Sequence, residues 1–272
     1  VGPISVSLVL GAFVFGAAMQ VADGCGSGTL YKAGLGNAIN IAVVPGFVAG
    51  TFLGAAHLDW WLRLGSLGPL TVQQFVGTGG AVVLQLAAFG ALGGLAWRYR
   101  RQLGTRWQGR GVFVAALVLA LFAVANLVVA GQPWGIVYGV GLWGAKIATT
   151  LGWDPAGNAY WGREAQLAQI AAPVLDDVTS VTNLGLLAGS LLVAAWRSEA
   201  CPPAAPTRRQ WIAVLVTGFV LGYSARLAFG CNIGAYFAGI ASGSLHGWLW
   251  FACAFAGSHL GVRLRERLGF AG

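Results

Sequence analysis

The sequence predicts an all-α integral membrane protein built as an inverted repeat, with interrupted, re-entrant loop-helix segments meeting at a central constriction. Three observations predict it: long charge-free apolar windows, arginines confined to alternate connections, and a cysteine motif that occurs twice.

Of the 272 residues 57% are hydrophobic and 9% charged, against about 25% charged in an ordinary soluble domain. That composition excludes a soluble enzyme of ordinary type, a disordered chain and a disulfide scaffold. The net charge of +8 is spread over too few residues to form a phosphate-tracking surface, so nucleic acid is not an expected partner. Lipid is.

No Asp, Glu, Lys or Arg occurs in Val1–Ala22, Ala33–Leu58, Leu64–Trp97, Gly111–Ala145, Val178–Trp196, Gln210–Ala225 or Leu227–Val262. A spanning helix needs about 20 predominantly apolar residues, and no polar face recurs at helical period as a soluble core would require. The chain is expected to form a single polytopic domain over 1–272, with pseudo-repeats at about 1–110 and 111–272. Val1 lies directly in an apolar run without a preceding basic region or cleavage site. It is not a signal peptide, and an upstream segment is expected to be missing. The small residues of Gly77–Gly94 suggest close helix packing there.

The connections differ in charge. Arg98–Arg110 holds five arginines, Arg197–Gln210 three and the tail from Arg263 three more, whereas five of the eight acids lie around Asp59–Arg63 and Asp154–Asp177. The positive-inside rule makes the arginine-rich connections cytoplasmic. Trp60, Trp61, Trp97, Trp107, Trp153, Trp161, Trp196 and Trp211 fall near predicted boundaries, as in an aromatic belt. Lys32, Lys146 and Arg226 remain inside apolar stretches. Each costs about 2.5–3.5 kcal/mol at a helix centre on insertion scales, so each is expected to face a cavity or a partner.

Shifting the chain by 206 residues superimposes AFVFGAAMQVADGCGSG (Ala12–Gly28) on GFVLGYSARLAFGCNIG (Gly218–Gly234). The shared pattern is FVxG, seven residues, then G-C-x-x-G-x-x-[YF]. It places two of the chain's four cysteines, Cys25 and Cys231, in register. By the arginine map the first copy reaches its cysteine from outside and the second from the cytoplasm. Both patterns hold only if the copies are inverted, with a site expected at the repeat interface. Gly24, Gly28, Gly230 and Gly234 permit non-helical backbone there. Short helices beginning after each break, at Thr29–Gly36 and Ala235–Ser242, direct amides suited to an anion toward the middle. A buried cysteine is ordinarily a small hydrophobe, but duplication at two helix breaks argues for a role. Asp23, whose repeat mate is Phe229, suggests pairing with Lys32 or a role at the cytoplasmic exit.

The strings GCGSGTLYKAGLGN, PWGIVYGVGLWGAKI and GYSARLAFGCNIGAYFAGIASGSLHGW resemble the YeeE/YedE family of bacterial inner-membrane proteins over nearly the whole chain. The resemblance implies thiosulfate uptake, with a small cytosolic TusA-like sulfur-carrier protein as partner. It also implies an hourglass of pseudo-twofold inverted halves, whose constriction carries essential cysteines matched here by Cys25 and Cys231. A further family cysteine nearer the amino terminus has no counterpart in this chain.

The candidate substrate residues are therefore Cys25, Cys231, Gly24, Gly28, Gly230, Gly234, Asn232, Arg226, Lys146 and His246. His246 can donate to an anion or cap the following helix. Cys201 reads as an exposed free thiol and Cys253 as core, while His57 and His259 read as interfacial. No cofactor or metal is expected, since C-x-x-C and His/Cys clusters are missing from the sequence. Thiols are weak donors, which suits loose binding and release, and neither motif has the adjacent base that nucleophilic catalysis needs. Two alternatives stand: a membrane sulfurtransferase passing sulfane sulfur through a cysteine persulfide, and a transporter of selenium species or another sulfur anion.

Overall fold

The computed structural model describes residues 1–103, 109–197 and 206–270. The connections that hold Cys201 and part of the arginine-rich segments lie outside the described residues. The described residues are all-α apart from one short antiparallel strand pair and an isolated bridge between Thr71 and Ser244. A short strand β1 (Pro3–Ser5) leads into α1 (Val6–Val21), α2 (Gly26–Gly34), α3 (Ala38–Ala56) and α4 (Leu58–Arg63). Strand β2 (Ser66–Pro69) pairs antiparallel with β1, setting Ile4 against Leu67 and Ser5 against Ser66. Then come α5 (Val72–Leu103), α6 (Arg110–Ala130), α7 (Ile136–Thr150), α8 (Glu164–Ala171), α9 (Val178–Arg197) and α10 (Arg208–Leu227). A π-helical turn (Asn232–Phe237), α11 (Ala238–Ala241) and α12 (Leu245–Arg267) complete it.

Among the described residues six segments are long and apolar enough to cross a membrane: Val6–Gly34, Ala38–Ala56, Val72–Tyr99, Arg110–Ala130, Val178–Arg197 and Arg208–Ala241. This is a multi-pass membrane protein.

Glycine lets its helices approach backbone to backbone, as small residues do in lipid. A Cβ on Gly257 of α12 would stand 1.9 Å from Phe13 O of α1, and one on Gly261 2.4 Å from Ala17 O, so α1 and α12 run parallel. A Cβ on Gly50 of α3 would stand 2.1 Å from Phe219 O of α10, and one on Gly54 2.8 Å from Tyr223 O, so α3 and α10 run parallel too. Between the two pairs, Gly11 near the start of α1 abuts Leu227 and Ala228 at the end of α10. These central helices therefore run in opposite directions. Leu8, Phe15, Phe47, Leu221 and Trp250 fill the core around them.

Two expectations change here. Trp161 is fully buried and no part of an aromatic belt. Its indole donates to Phe52 O at 3.1 Å, and its ring stacks on Phe52 and Tyr138. The Gly77–Gly94 stretch is also not closely packed. A Cβ on Gly77, Gly79, Gly90, Gly93 or Gly94 would meet nothing within 4 Å, because most of α5 and all of α6 turn their apolar side chains outward. Small residues permit close approach but do not supply a neighbour.

Candidate functional site

α1 and α10 break in the same way. In the first break Ala22 N–H bonds Ala18 O at 2.9 Å, Asp23 N–H bonds Gln20 O at 3.4 Å and Gly24 N–H bonds Met19 O at 3.0 Å. In the second, Ala228 N–H bonds Ser224 O at 2.9 Å, Phe229 N–H bonds Arg226 O at 3.2 Å and Gly230 N–H bonds Ala225 O at 2.8 Å. Each pair of bonds is separated by 206 positions. Asp23 (φ 56°) and Phe229 (φ 62°) are the two non-glycine residues with left-handed backbone among the described residues. That conformation is tolerable for Asp and costly for an aromatic, so the second break holds strain where a ligand site is usually found.

The segments after the breaks start alike and then separate by one residue. Cys25 and Cys231 occupy the N-cap positions of α2 and of the π turn, both in extended backbone. Thr29 N–H bonds Cys25 O at 2.8 Å and Ala235 N–H bonds Cys231 O at 2.9 Å. The π turn then accommodates one extra residue, which is what a π-bulge does. Beyond it the correspondence runs at 207: Gly36 (φ 82°) answers Gly243 (φ 71°), and the N-caps Asn37 and Ser244 answer each other. The helices begin directly after the cysteines, earlier than the expected Thr29 and Ala235.

The two cysteine segments meet. A Cβ on Gly26 would lie 3.3 Å from Cys231 Sγ, with Phe47 Cζ at 3.2 Å. Cys231 is fully buried, and the backbone N–H groups of Ile233 and Gly234, from its own turn, and of Ser27, from α2, are directed at its sulfur. These are amides that a helix start leaves without intrahelical partners. Cys25 is half-buried and its Sγ lies 3.3 Å from Ser27 Oγ. Beside the cysteines, Thr29 Oγ1 and Asn232 Oδ1 are buried without a hydrogen-bond partner among the described residues. Such groups are rare in a folded interior and call for an explanation. A Cβ on Gly28 would meet Cys25 Sγ at 3.8 Å and one on Gly234 would meet Trp134 O at 3.9 Å, both ordinary van der Waals contacts.

The profile of the family described as sulphur transport matches residues 2–260. The chain belongs to that family. Its members include the YeeE/YedE proteins, and the chain is 25% identical over 171 residues to the probable transporter YedE of Salmonella typhimurium, covering 62% of this chain and 41% of that one. It is 24% identical over 157 residues to the probable transporter YedE of Escherichia coli, covering 58% and 37%. The thiosulfate transporter TsuA of Spirochaeta thermophila matches at 24% over 268 residues, 90% of this chain and 73% of that one. The chain thus spans about two fifths of the length of the YedE relatives it matches.

The three basic residues inside apolar stretches have three different surroundings. Arg226, beside the second break, donates through Nη2 to Tyr160 Oη and stands over the rings of Tyr160 and Tyr138, 4.5 and 5.6 Å from their centroids. Its Nε is buried without a partner, and no carboxylate pairs with it among the described residues. Lys146 is occupied otherwise. Its ammonium donates to Gln169 O at 2.6 Å, to Ile170 O at 2.9 Å and to Ala172 O, closing the carboxyl end of α8. Three donors meet three carbonyls, so none is left for an anion. Lys32 pairs with Asp23 at 2.6 Å.

His246 is buried, and its Nδ1 accepts from Gly2 N–H at 3.2 Å, with Ser244 Oγ at 2.6 Å. It ties the start of the chain to the start of α12 and does not cap that helix. Cys253 is half-buried against the core. His57 Nδ1 lies 3.1 Å from Tyr223 Oη, and His259 packs edge-on against Phe255. Ser27, Thr29 and Tyr138 lie inside the motif strings, but nothing in those strings singles them out, and Tyr160 lies outside them. They are visible only once the chain is folded.

Proposed function

We propose that the chain takes up thiosulfate across the bacterial inner membrane, and that Cys231 and Cys25 line its route. The observation that carries this is the meeting of two helix starts at the buried Cys231 sulfur, which lies 3.3 Å from the Gly26 Cβ position at the start of α2 and belongs to the N-cap residue of its own turn. Fixed N–H groups at helix starts favour anions. A thiol between them offers one weak S–H donor, so a dianion is attracted without being trapped as a ring of cations would trap it. The transporter names of the relatives support carriage over sulfurtransferase chemistry.

In this account the chain is an inverted-repeat transporter with pseudo-repeats at about 1–110 and 111–272, related by the matched breaks of α1 and α10. Its arginine-rich connections face the cytoplasm. Thiosulfate meets Arg226 first and then passes Cys231 and Cys25, framed by Gly230, Gly234, Asn232, Gly24 and Gly28. A TusA-like carrier is the chain's partner on the cytoplasmic side. Lys146 and His246 hold the scaffold around the route.

Labelled thiosulfate uptake into proteoliposomes, with and without an imposed ion gradient and with sulfate as competitor, tests the proposal. Saturable uptake above protein-free liposomes supports it. Uptake no faster than in protein-free liposomes under every gradient sinks it.

A further inference from the structure

The turn that carries Cys25 also carries a charge cluster that the route above does not use. Asp23 Oδ2 accepts from Lys32 Nζ at 2.6 Å, and Asp23 Oδ1 lies 3.2 Å from Arg265 Nη1. Lys32 Nζ also donates to Asp23 O at 2.7 Å, and Arg265 Nη1 donates to Gln20 O at 2.8 Å. One carboxylate thus sits between two cations, one on α2 and the other on α12, and it closes the gap between the end of α1 and the end of α12. The side chains are 38% (Asp23), 35% (Lys32) and 21% (Arg265) exposed. Ion pairs that keep this much contact with water hold weakly.

The matched position at the other break has the opposite arrangement. Phe229 replaces Asp23, and Arg226, the counterpart of Gln20, rests on tyrosines with no carboxylate partner among the described residues. One end of the constriction presents an arginine to an arriving anion. At the other end an anionic side chain already fills the space between two cations.

We infer that Lys32 and Arg265 form an exit site for a small oxyanion dianion, and that Asp23 is its resident competitor. An anion leaving the Cys25 break displaces the Asp23 carboxylate from the two cations, and the return of Asp23 expels it. No covalent step is involved. The sidedness rests on the transport proposal, but the competition itself does not.

The test is a titration of the solubilised full chain with sodium sulfate and sodium thiosulfate, followed by tryptophan fluorescence or calorimetry. Asp23→Asn removes the competing charge and keeps a residue that accepts left-handed backbone. It is expected to bind either anion at least about fivefold more tightly than the parent, about 1 kcal/mol, and Lys32→Gln added to it is expected to abolish the gain. If Asp23→Asn fails to fold, Asp23→Gly suits the same backbone and takes its place. A Kd unchanged in the variant, or a gain that survives Lys32→Gln, overturns the inference even where uptake is shown. Tighter binding in a chain that fails to transport keeps the exit site and sinks the transport proposal.

Discussion

Cys231 Sγ stands 3.3 Å from where a Cβ would project from Gly26. The two residues belong to different helix breaks that are 206 positions apart in chain register, and the missing side chain lets the α2 start reach the sulfur. Ser27, the next residue, then directs its amide there. Gly26→Ala adds a methyl at a distance tighter than ordinary carbon contacts, with Phe47 and Cys231 both in its way. The neighbours must give by tenths of an ångström, which a packed core accepts at a cost of about 1–3 kcal/mol. The variant is expected to reach the membrane and to lose most of its thiosulfate uptake. Uptake at the parent rate would show that this contact is not on the route.

In the proposed route Arg226 is the first residue that an entering anion meets. Arg226→Gln is expected to raise the KM for thiosulfate about tenfold with a smaller change in the maximal rate, as loss of binding shared by ground and transition states requires. Arg226→Lys should not rescue it, because a guanidinium stacks on tyrosine faces and an ammonium is a compact, hydrated point charge. Initial rates over a range of external thiosulfate check both variants.

Lys146 offers a contrast of the opposite kind. Lys146→Met leaves the carbonyls of Gln169, Ile170 and Ala172 without their donor, a loss of about 1–3 kcal/mol where the groups stay dry. The thermal midpoint of the solubilised protein should fall while KM stays within about twofold of the parent. A raised KM with an unchanged midpoint would return Lys146 to the anion route.

The glycine contacts between helices predict a stability pattern. Gly257→Ala and Gly50→Ala place a methyl 1.9 and 2.1 Å from the carbonyl oxygens of Phe13 and Phe219, so both should lower the midpoint or the yield markedly. Gly90→Ala, in a stretch of α5 where nothing lies within 4 Å, should leave the midpoint level or raise it slightly, since alanine favours a helix over glycine. Thermal unfolding of the three variants in one detergent makes the comparison.

Much of this was legible before folding, and the physical reasons are specific. Charge-free runs marked the spanning helices because lipid excludes charge at every turn. The cysteine pair marked the breaks because the residues around it recur at a spacing of 206. The register beyond the cysteines was not legible. The π turn adds a residue that its sequence, NIGAYF, does not announce, although Gly50 and Gly54 recurring as Gly257 and Gly261 at a spacing of 207 record it. The mismatch of Asp23 with its repeat mate Phe229 suggests pairing with Lys32 or a role at the cytoplasmic exit. The second partner of Asp23, Arg265, lies 242 positions away and depends on α1 and α12 running side by side. Lys146 looked like Arg226 in sequence, each a lone cation in an apolar run. Only the fold assigns one to the end of α8 and the other to a pair of tyrosines.

The most direct test of the central claim is labelled thiosulfate uptake by Cys25→Ser and Cys231→Ser in parallel with the parent chain, at matched protein in the membrane. Serine keeps the size and the hydrogen-bonding hydrogen but is a harder, more strongly hydrated group than the thiol. If the two thiols line the route, each variant loses most of its uptake and the double variant falls to the level of protein-free liposomes. Parent rates in both single variants would contradict the account.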